Sequence, residues 1–122
     1  MRRNVLGAVA AIAALAGLAT TAGIGIAVAS APRVIAVSVK KFEFSVKEIT
    51  VKKGETVVIE LTSEDRVHGL GLPAFGVRGD AVPGTVTRIA FTPDRAGRFE
   101  YLCDVFCGDG HEDITGTLIV RE

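Results

Sequence analysis

Short apolar runs with a period of two follow Pro32 and constrain the fold of this chain more than any other feature. Such alternation is typical of β-strands with one buried face. Gly and Pro separate the runs, and no long helical pattern interrupts them, which predicts an all-β, Greek-key β-sandwich. The alternation shifts by one residue across Lys40 and Lys41, which predicts a β-bulge. The alternating residues are Val37 and Val39; Phe42, Phe44 and Val46; Ile49 and Val51; Val57, Ile59 and Leu61; Thr87, Ile89 and Phe91; Phe99, Tyr101 and Cys103; Leu118 and Val120.

The 122-residue chain divides into two parts of different composition. Two arginines precede an uncharged run from Val5 to Ala31. A charged start and an apolar body are the pattern of a secretory signal, for which Ala27-Val28-Ala29 offers a cleavage site. The run also exceeds the ~20 residues needed to span a bilayer, so an uncleaved membrane anchor is the alternative. We predict a signal peptide or anchor over residues 1–31, a folded domain over residues 32–122, and a periplasmic or extracytoplasmic location.

The cysteines and histidines of the chain, two of each, are placed where they can meet. Cys103, Cys107 and His111 follow one another at intervals of four, just after a predicted strand, on a loop that contains two glycines. His68 lies on the loop predicted after the Val57 to Leu61 strand. Because loops cluster at the ends of a sandwich, all four side chains can converge at one pole. Two thiolates and two imidazoles predict a metal site there.

Residue types alone leave several alternatives at this pole. Cys103 and Cys107 can form a disulfide in an exported protein. His68 can be an ordinary surface histidine, and His111 can be a solvated residue among carboxylates. If a metal binds, the same ligand set suits tetrahedral zinc and copper, and neither composition nor spacing decides between them.

The loop sequence resembles that of a known family. The segment from Cys103 to His111, followed by Gly116-Thr-Leu-Ile-Val, is similar to the binuclear copper (CuA) loop and last strand of cytochrome c oxidase subunit II. The stretches Val67-His68-Gly69 and Leu72 to Gly84 resemble the histidine loop of that family and the segment after it. Phe42-Glu-Phe44 and the segment from Ile49 to Glu55 resemble the opening strands of cupredoxins. Nitrous oxide reductase carries a related copper domain and is a more distant match.

The resemblance implies a cupredoxin-like domain with a binuclear copper centre. Cys103 and Cys107 would be the bridging thiolates, His68 and His111 would each ligate one ion, and Val105 would contribute its backbone carbonyl. The implied function is electron transfer, in which single electrons pass from a reduced carrier such as a cytochrome to an acceptor complex. A membrane oxidase complex is a further partner that the resemblance implies. We expect no catalytic residue, no organic substrate and no activity of the chain alone. A role as a subunit of a cytochrome c oxidase-type oxidoreductase is the alternative.

The sequence departs from the family pattern at three points. Ile114 stands where the family has a methionine, and Met1 is the only methionine of the chain. Val105 stands where many subunits II have a glutamate, and the chain has no tryptophan. An aliphatic residue at the axial position is expected to raise the reduction potential, because it donates no electron density and excludes water. These departures favour a free-standing or divergent relative over a complete oxidase subunit.

Two functions of other classes compete with electron transfer. The thiolates could hold Cu(I) in a periplasmic copper storage or delivery protein. Alternatively, zinc or a disulfide could stabilise a structural domain that serves as an interaction module. Mononuclear copper and zinc therefore remain alternatives to the binuclear centre.

The charge of the predicted domain is small, with 12 basic and 14 acidic side chains after Ala31, so no basic excess points to nucleic acid. Four carboxylates surround the cysteine loop and predict a negative field there, in contrast to Lys40-Lys41 and Lys52-Lys53. A basic electron donor is then the expected partner. The carboxylates are those of Asp104, Asp109, Glu112 and Asp113.

Overall fold

The computed structural model describes residues 31–122. The predicted signal peptide or anchor, apart from Ala31, lies outside the described residues. In the described part, no helix is long and apolar enough to cross a membrane. The nine strands are β1 (Arg33–Lys40), β2 (Glu43–Phe44), β3 (Glu48–Lys52), β4 (Val57–Ser63), β5 (His68–Leu72), β6 (Val77–Ala81), β7 (Thr87–Phe91), β8 (Gly97–Leu102) and β9 (Thr115–Arg121). Two short 3-10 helices cover Pro73–Phe75 and His111–Asp113.

The strands form two sheets, which confirms the predicted all-β sandwich. One sheet has the order β2-β1-β4-β7 and the other has the order β3-β9-β8-β5-β6. β1 pairs with β4 and β3 pairs with β9 in parallel, whereas the other neighbours are antiparallel. In the second sheet β5 lies beside β8. His68 is on β5, and Cys103 and Cys107 follow β8.

Most of the alternating residues of the sequence form the core between the sheets. Val57, Ile59 and Leu61 on β4 are buried, and Val58 and Glu60 between them are partly exposed. Burial of such side chains is worth roughly 1.5–3 kcal/mol each, so the pattern fixes which face of each alternating strand turns inward. The rest of the buried apolar cluster includes Val37, Val39, Phe44, Ile49, Val51, Ile89, Phe91, Tyr101, Leu118 and Val120.

The predicted β-bulge at Lys40-Lys41 is wrong. Val39 pairs with Phe44 and Lys40 with Glu43 in antiparallel register, so the chain reverses direction in a tight turn over Lys41 and Phe42. A two-residue turn also shifts the apolar pattern along the sequence, because the alternation resumes on the partner strand. The turn leaves Phe42 half exposed.

The placement of His68 on a loop is also wrong, since His68 begins β5. All five residues of β5 are buried, so its sequence, His-Gly-Leu-Gly-Leu, shows no alternation of apolar and polar residues. A strand covered on both faces has no polar side to create the period of two. The pattern therefore could not reveal β5.

We predict that Gly116→Ala destabilises the domain by about 1–3 kcal/mol, because it overpacks the core. Gly116 pairs with Tyr101 across β8 and β9, and an added Cβ would overlap the tyrosine ring. The ring is held in place because its hydroxyl donates a hydrogen bond to the Val46 carbonyl. Urea unfolding measures the loss. Thr117→Ala, at the partly exposed neighbouring position, is the control, and an equal loss in both variants would contradict the packing explanation.

Candidate metal centre

Both cysteine thiols are buried and close together. Cys103 directly follows β8, and Cys107 lies four residues further on. Their Sγ atoms are 3.8 Å apart and both cysteines are free, so the alternative of a disulfide is not what the structure shows. Burial, together with the hydrogen bond to Cys103, raises the pKa of the Cys107 thiol to about 11. A metal ion must therefore displace a proton here, as is usual for thiolate ligands.

His68 turns one ring nitrogen toward the thiols and the other toward a carboxylate. Its Nε2 lies 2.6 Å from Asp65 Oδ1. Its Nδ1 is buried and has no hydrogen-bond partner. One donor atom each from His68, Cys103 and Cys107 lies within 4.8 Å of the other two. His68 is wholly buried, so the reading of a surface histidine does not hold.

Asp65 fixes the orientation of the His68 ring. Burial opposes ionisation of its carboxyl group, but hydrogen bonds from the backbone N–H of Lys41, from His68 and from the backbone N–H of Arg66 outweigh it and lower the pKa of Asp65 to about 2. An ionised carboxylate accepts the Nε2 proton, which leaves the lone pair on Nδ1 free for a metal. The role of Asp65 was not predicted from the sequence, in which a carboxylate three residues before a proposed ligand was the available signal.

His111 lies at the start of the second 3-10 helix, at the edge of the site. It is not part of the group of donor atoms within 4.8 Å. Its Nδ1 is nevertheless buried without a hydrogen-bond partner, as in His68. The ring packs edge-on against Phe106, with centroids 5.1 Å apart, and Nε2 lies 3.9 Å from Glu112 Oε2. The donor atoms of three predicted ligands therefore lie close together, and the fourth ligand, His111, lies on the loop that carries the two cysteines.

Val105 and Ile114 complete the predicted site. The Val105 carbonyl oxygen lies 3.3 Å from Cys103 Sγ and accepts its thiol proton. Ile114 is fully buried in the apolar cluster that contains both cysteines. The Cys103 N–H donates a 3.0 Å hydrogen bond to the Ile114 carbonyl. An aliphatic side chain therefore lies in the packed interior next to the loop of residues 103–111, which we call the metal loop.

The charge around the loop is mixed, so the predicted separation of a negative pole from the Lys40-Lys41 region is wrong. The Lys41 side chain lies against Gly108, and the Arg66 guanidinium is close by. Asp104 is paired with Arg78, whose pKa is raised mainly by its hydrogen bond to Asp104. The error has a topological cause, because the β1–β2 turn folds Lys41 over the metal loop.

The fold and the sequence place this chain in a known family. The model of the cupredoxin-like domain matches residues 7–120, and the chain therefore belongs to the cupredoxin family. It is homologous to cytochrome c oxidase subunit 2: the Thermus thermophilus subunit is 31% identical over 81 residues, which cover 66% of this chain and 60% of that protein. Nitrous-oxide reductase of Stutzerimonas stutzeri is 32% identical over 82 residues, which cover 64% of this chain but 13% of the enzyme. The chain thus matches three fifths or less of the length of these relatives.

Solved structures show the same fold. The periplasmic domain of cytochrome oxidase subunit II of Bradyrhizobium japonicum superposes with a TM-score of 0.70 at 23% identity, covering 77% of this chain and 87% of that domain. A chain of a heme-copper terminal oxidase dimer superposes with a TM-score of 0.66 at 28% identity, covering 73% of this chain and 65% of its own length. These structures confirm the cupredoxin-like fold, and the sequence match to cytochrome c oxidase subunit 2 confirms the resemblance to that family.

Copper, the metal implied by this homology, fits the donor atoms present. Two neighbouring thiols and a buried imidazole are soft or borderline ligands, which suit copper. Within residues 31–122, the buried side-chain nitrogens and oxygens without a hydrogen-bond partner are Nδ1 of His68 and Nδ1 of His111. Leaving such atoms unpaired is costly, and metal ions bound to these two nitrogens would remove that cost.

We predict that Asp65→Asn weakens metal binding by about 10- to 100-fold, the usual effect of removing a partner that orients a histidine ligand. The amide keeps the size of the carboxylate but loses the charge that holds the Nε2 proton of His68. Competition with a Cu(I) chelator measures the affinity. Asp94→Asn is the control, because Asp94 is exposed and pairs with Arg95. Equal affinities for the two variants would contradict this role of Asp65.

Proposed function

We propose that this chain is a copper-binding electron-transfer domain that passes single electrons from a reduced carrier to an acceptor complex. The observation that carries the proposal is the pair of buried thiols 3.8 Å apart beside a buried imidazole with a free Nδ1. We assign Cys103 and Cys107 as bridging ligands of two copper ions and His68 and His111 as terminal ligands. The Val105 carbonyl oxygen is the fifth donor.

The protein contributes rigidity to this function. Copper bridged by two thiolates would supply a one-electron redox couple shared between two ions. His68 is held by a strand and by Asp65, and Cys103 is held by the backbone hydrogen bond to Ile114. Ligands that cannot move keep the same geometry in both oxidation states, which favours fast transfer. Burial of both thiols keeps water away from the sulfur atoms.

Electrons can enter through the loop-side apolar surface, which we define as Phe42 and Phe106. Both side chains are exposed, Phe106 to 71%. Phe106 packs against the ring of His111, so a partner that covers Phe106 comes close to a proposed ligand. Phe42 lies against Gly110 of the same loop. The surface is therefore suited to a brief contact with a redox protein such as a cytochrome.

The relatives suggest where the domain works. Subunit 2 of cytochrome c oxidase is part of an oxidase, and the Bradyrhizobium domain is periplasmic. We propose an extracytoplasmic location for this chain and a membrane oxidase complex as an acceptor. The apolar segment before residue 31 supports export, whether it is cleaved or kept as an anchor.

We predict that the copper-loaded protein shows intense visible charge-transfer bands and that Cys107→Ser abolishes both the bands and tight copper binding. A serine hydroxyl does not deprotonate to a soft ligand near neutral pH. Absorption and metal analysis check both results, and Ser45→Ala serves as a control remote from the cysteines in sequence. Full copper occupancy in Cys107→Ser would overturn the binuclear assignment. A colourless Cu(I) protein would instead support copper delivery, and no copper uptake would support a structural domain.

We predict that Ile114→Met lowers the reduction potential while two copper ions stay bound. A thioether donates electron density to the oxidised state, whereas the buried isoleucine does not. Voltammetry gives the midpoint potential. Ile114→Leu is the matched control, since it keeps an aliphatic side chain of the same volume. An unchanged or higher potential in Ile114→Met would show that residue 114 does not occupy the axial position.

We predict that the rate of electron exchange with a basic cytochrome falls as ionic strength rises. Three exposed carboxylates on the metal loop outnumber the two cations beside it, Lys41 and Arg66, and attract such a partner; opposite charges act chiefly on the rate of encounter. Asp109→Asn should slow the reaction, and Lys41→Gln should accelerate it, because Lys41 lies against the same loop. Stopped-flow kinetics measure both. A rate that is independent of salt is incompatible with this docking. The carboxylates are those of Asp109, Glu112 and Asp113.

A further inference from the structure

The metal loop follows β8 and is attached to β6, which lies two positions from β8 in the sheet. The attachment is made by Asp104, which is not a proposed ligand. Asp104 lies between Cys103 and Val105. Arg78 on β6 donates two hydrogen bonds to its carboxylate, from Nε to Oδ2 at 2.6 Å and from Nη2 to Oδ1 at 2.9 Å. This bidentate geometry fixes both the position and the orientation of the carboxylate. Arg78 Nη2 also donates to Asp80 Oδ1 at 2.7 Å, which holds the guanidinium in turn.

The strand between the two partners leaves room for this pair. The sheet order β8-β5-β6 places β5 beneath the Arg78–Asp104 contact. A Cβ atom at Gly69 would overlap Asp104 Oδ1 and would lie 2.9 Å from Val105 Cγ2. A Cβ atom at Gly71 would lie 2.8 Å from Asp104 Oδ2. Both glycines are therefore required for Asp104 to lie against the strand that begins with His68.

These contacts restrain the segment that carries two proposed copper donors. The Cys103 N–H is bound to the Ile114 carbonyl, and the next side chain, that of Asp104, is bound to Arg78. The following carbonyl, that of Val105, lies 3.3 Å from Cys103 Sγ. With residues 103 and 104 both restrained, the peptide that follows has little freedom to turn its carbonyl away from the sulfur.

We propose that Arg78 and Asp104 are positioning residues that aim the Val105 carbonyl at the metal centre, across Gly69 and Gly71. The proposal rests on the proposed copper site, because only a bound metal gives the direction of this carbonyl a function. Both side chains keep contact with water, so a purely structural role predicts at most a modest loss of stability on removal of the pair and no change at the metal centre. A positioning role predicts a changed metal centre in a protein that remains stably folded.

The test compares Arg78→Gln with Arg88→Gln in the full chain. Arg88 pairs with Glu60 at 2.9 Å on neighbouring strands of the other sheet, so the control loses a similar ion pair away from the site. We expect Arg78→Gln to keep its copper and the same urea midpoint as Arg88→Gln, with shifted visible bands and altered copper hyperfine splitting. A spectrum identical to that of Arg88→Gln would overturn the proposal.

A double variant tests whether the metal centre responds to the position of the Val105 carbonyl or only to the charge of Arg78. Arg78→Gln combined with Asp104→Asn leaves the net charge of the site unchanged, and we expect the altered spectrum to persist in it. Restoration of the original spectrum would show that charge alone acts on the centre, which would overturn the positioning role.

The metal-free protein gives an independent readout. In Arg78→Gln, but not in Arg88→Gln, we expect the carbonyl carbon resonance of Val105 to move and the alkylation rate of Cys103 to rise. Unchanged values would overturn the proposal. If the unsubstituted chain takes up no copper, the proposed function fails, and this comparison still decides whether the pair restrains the loop.

Discussion

The pairing of β8 with β9 is the constraint on which the candidate site depends. Leu102 pairs with Thr115, and the Cys103 N–H binds the Ile114 carbonyl, so the two ends of the metal loop are joined by the sheet itself. A loop closed in this way must turn back on itself. A hydrogen bond inside this turn joins the His111 N–H to the Gly108 carbonyl at 3.2 Å. Gly108 has a φ of +128°, which other residues rarely adopt.

The pole of the sandwich is built from segments that are far apart in the chain. β5 contributes His68, the turn before it contributes Asp65, and the β1–β2 turn contributes the backbone N–H that binds Asp65. On the other side, Arg78 of β6 holds Asp104. Two carboxyl side chains therefore orient the site: Asp65 acts through the ligand His68, and Asp104 acts through the loop that carries the cysteines. This arrangement is typical of preorganised metal sites, in which the surrounding contacts hold the ligands before the metal arrives.

The apolar pattern predicted the sandwich and most of its buried apolar residues, because each alternating strand has one face in water and one in the core. It failed at β5, where both faces are covered, and at the turn over Lys41 and Phe42, where a reversal of the chain imitates a bulge. The cysteine and histidine spacing predicted a metal loop, and the structure brings Cys103, Cys107 and His68 together as expected. Family membership is what selects copper from the metals that such a ligand set allows.

The sequence by itself determined the fold class, the core and the chemical types of the proposed ligands, because alternation and spacing are local properties of the chain. Only the tertiary structure decided which polar groups support the ligands. Lys41 and Asp65 are 24 residues apart, and Arg78 and Asp104 are 26 residues apart, and no local period marks either pair. The Arg78–Asp104 contact exists because β6 lies beside β5 in the sheet. The Lys41–Asp65 contact exists because the β1–β2 turn lies over the metal loop. The order of strands in a sheet is set by the packing of the whole domain.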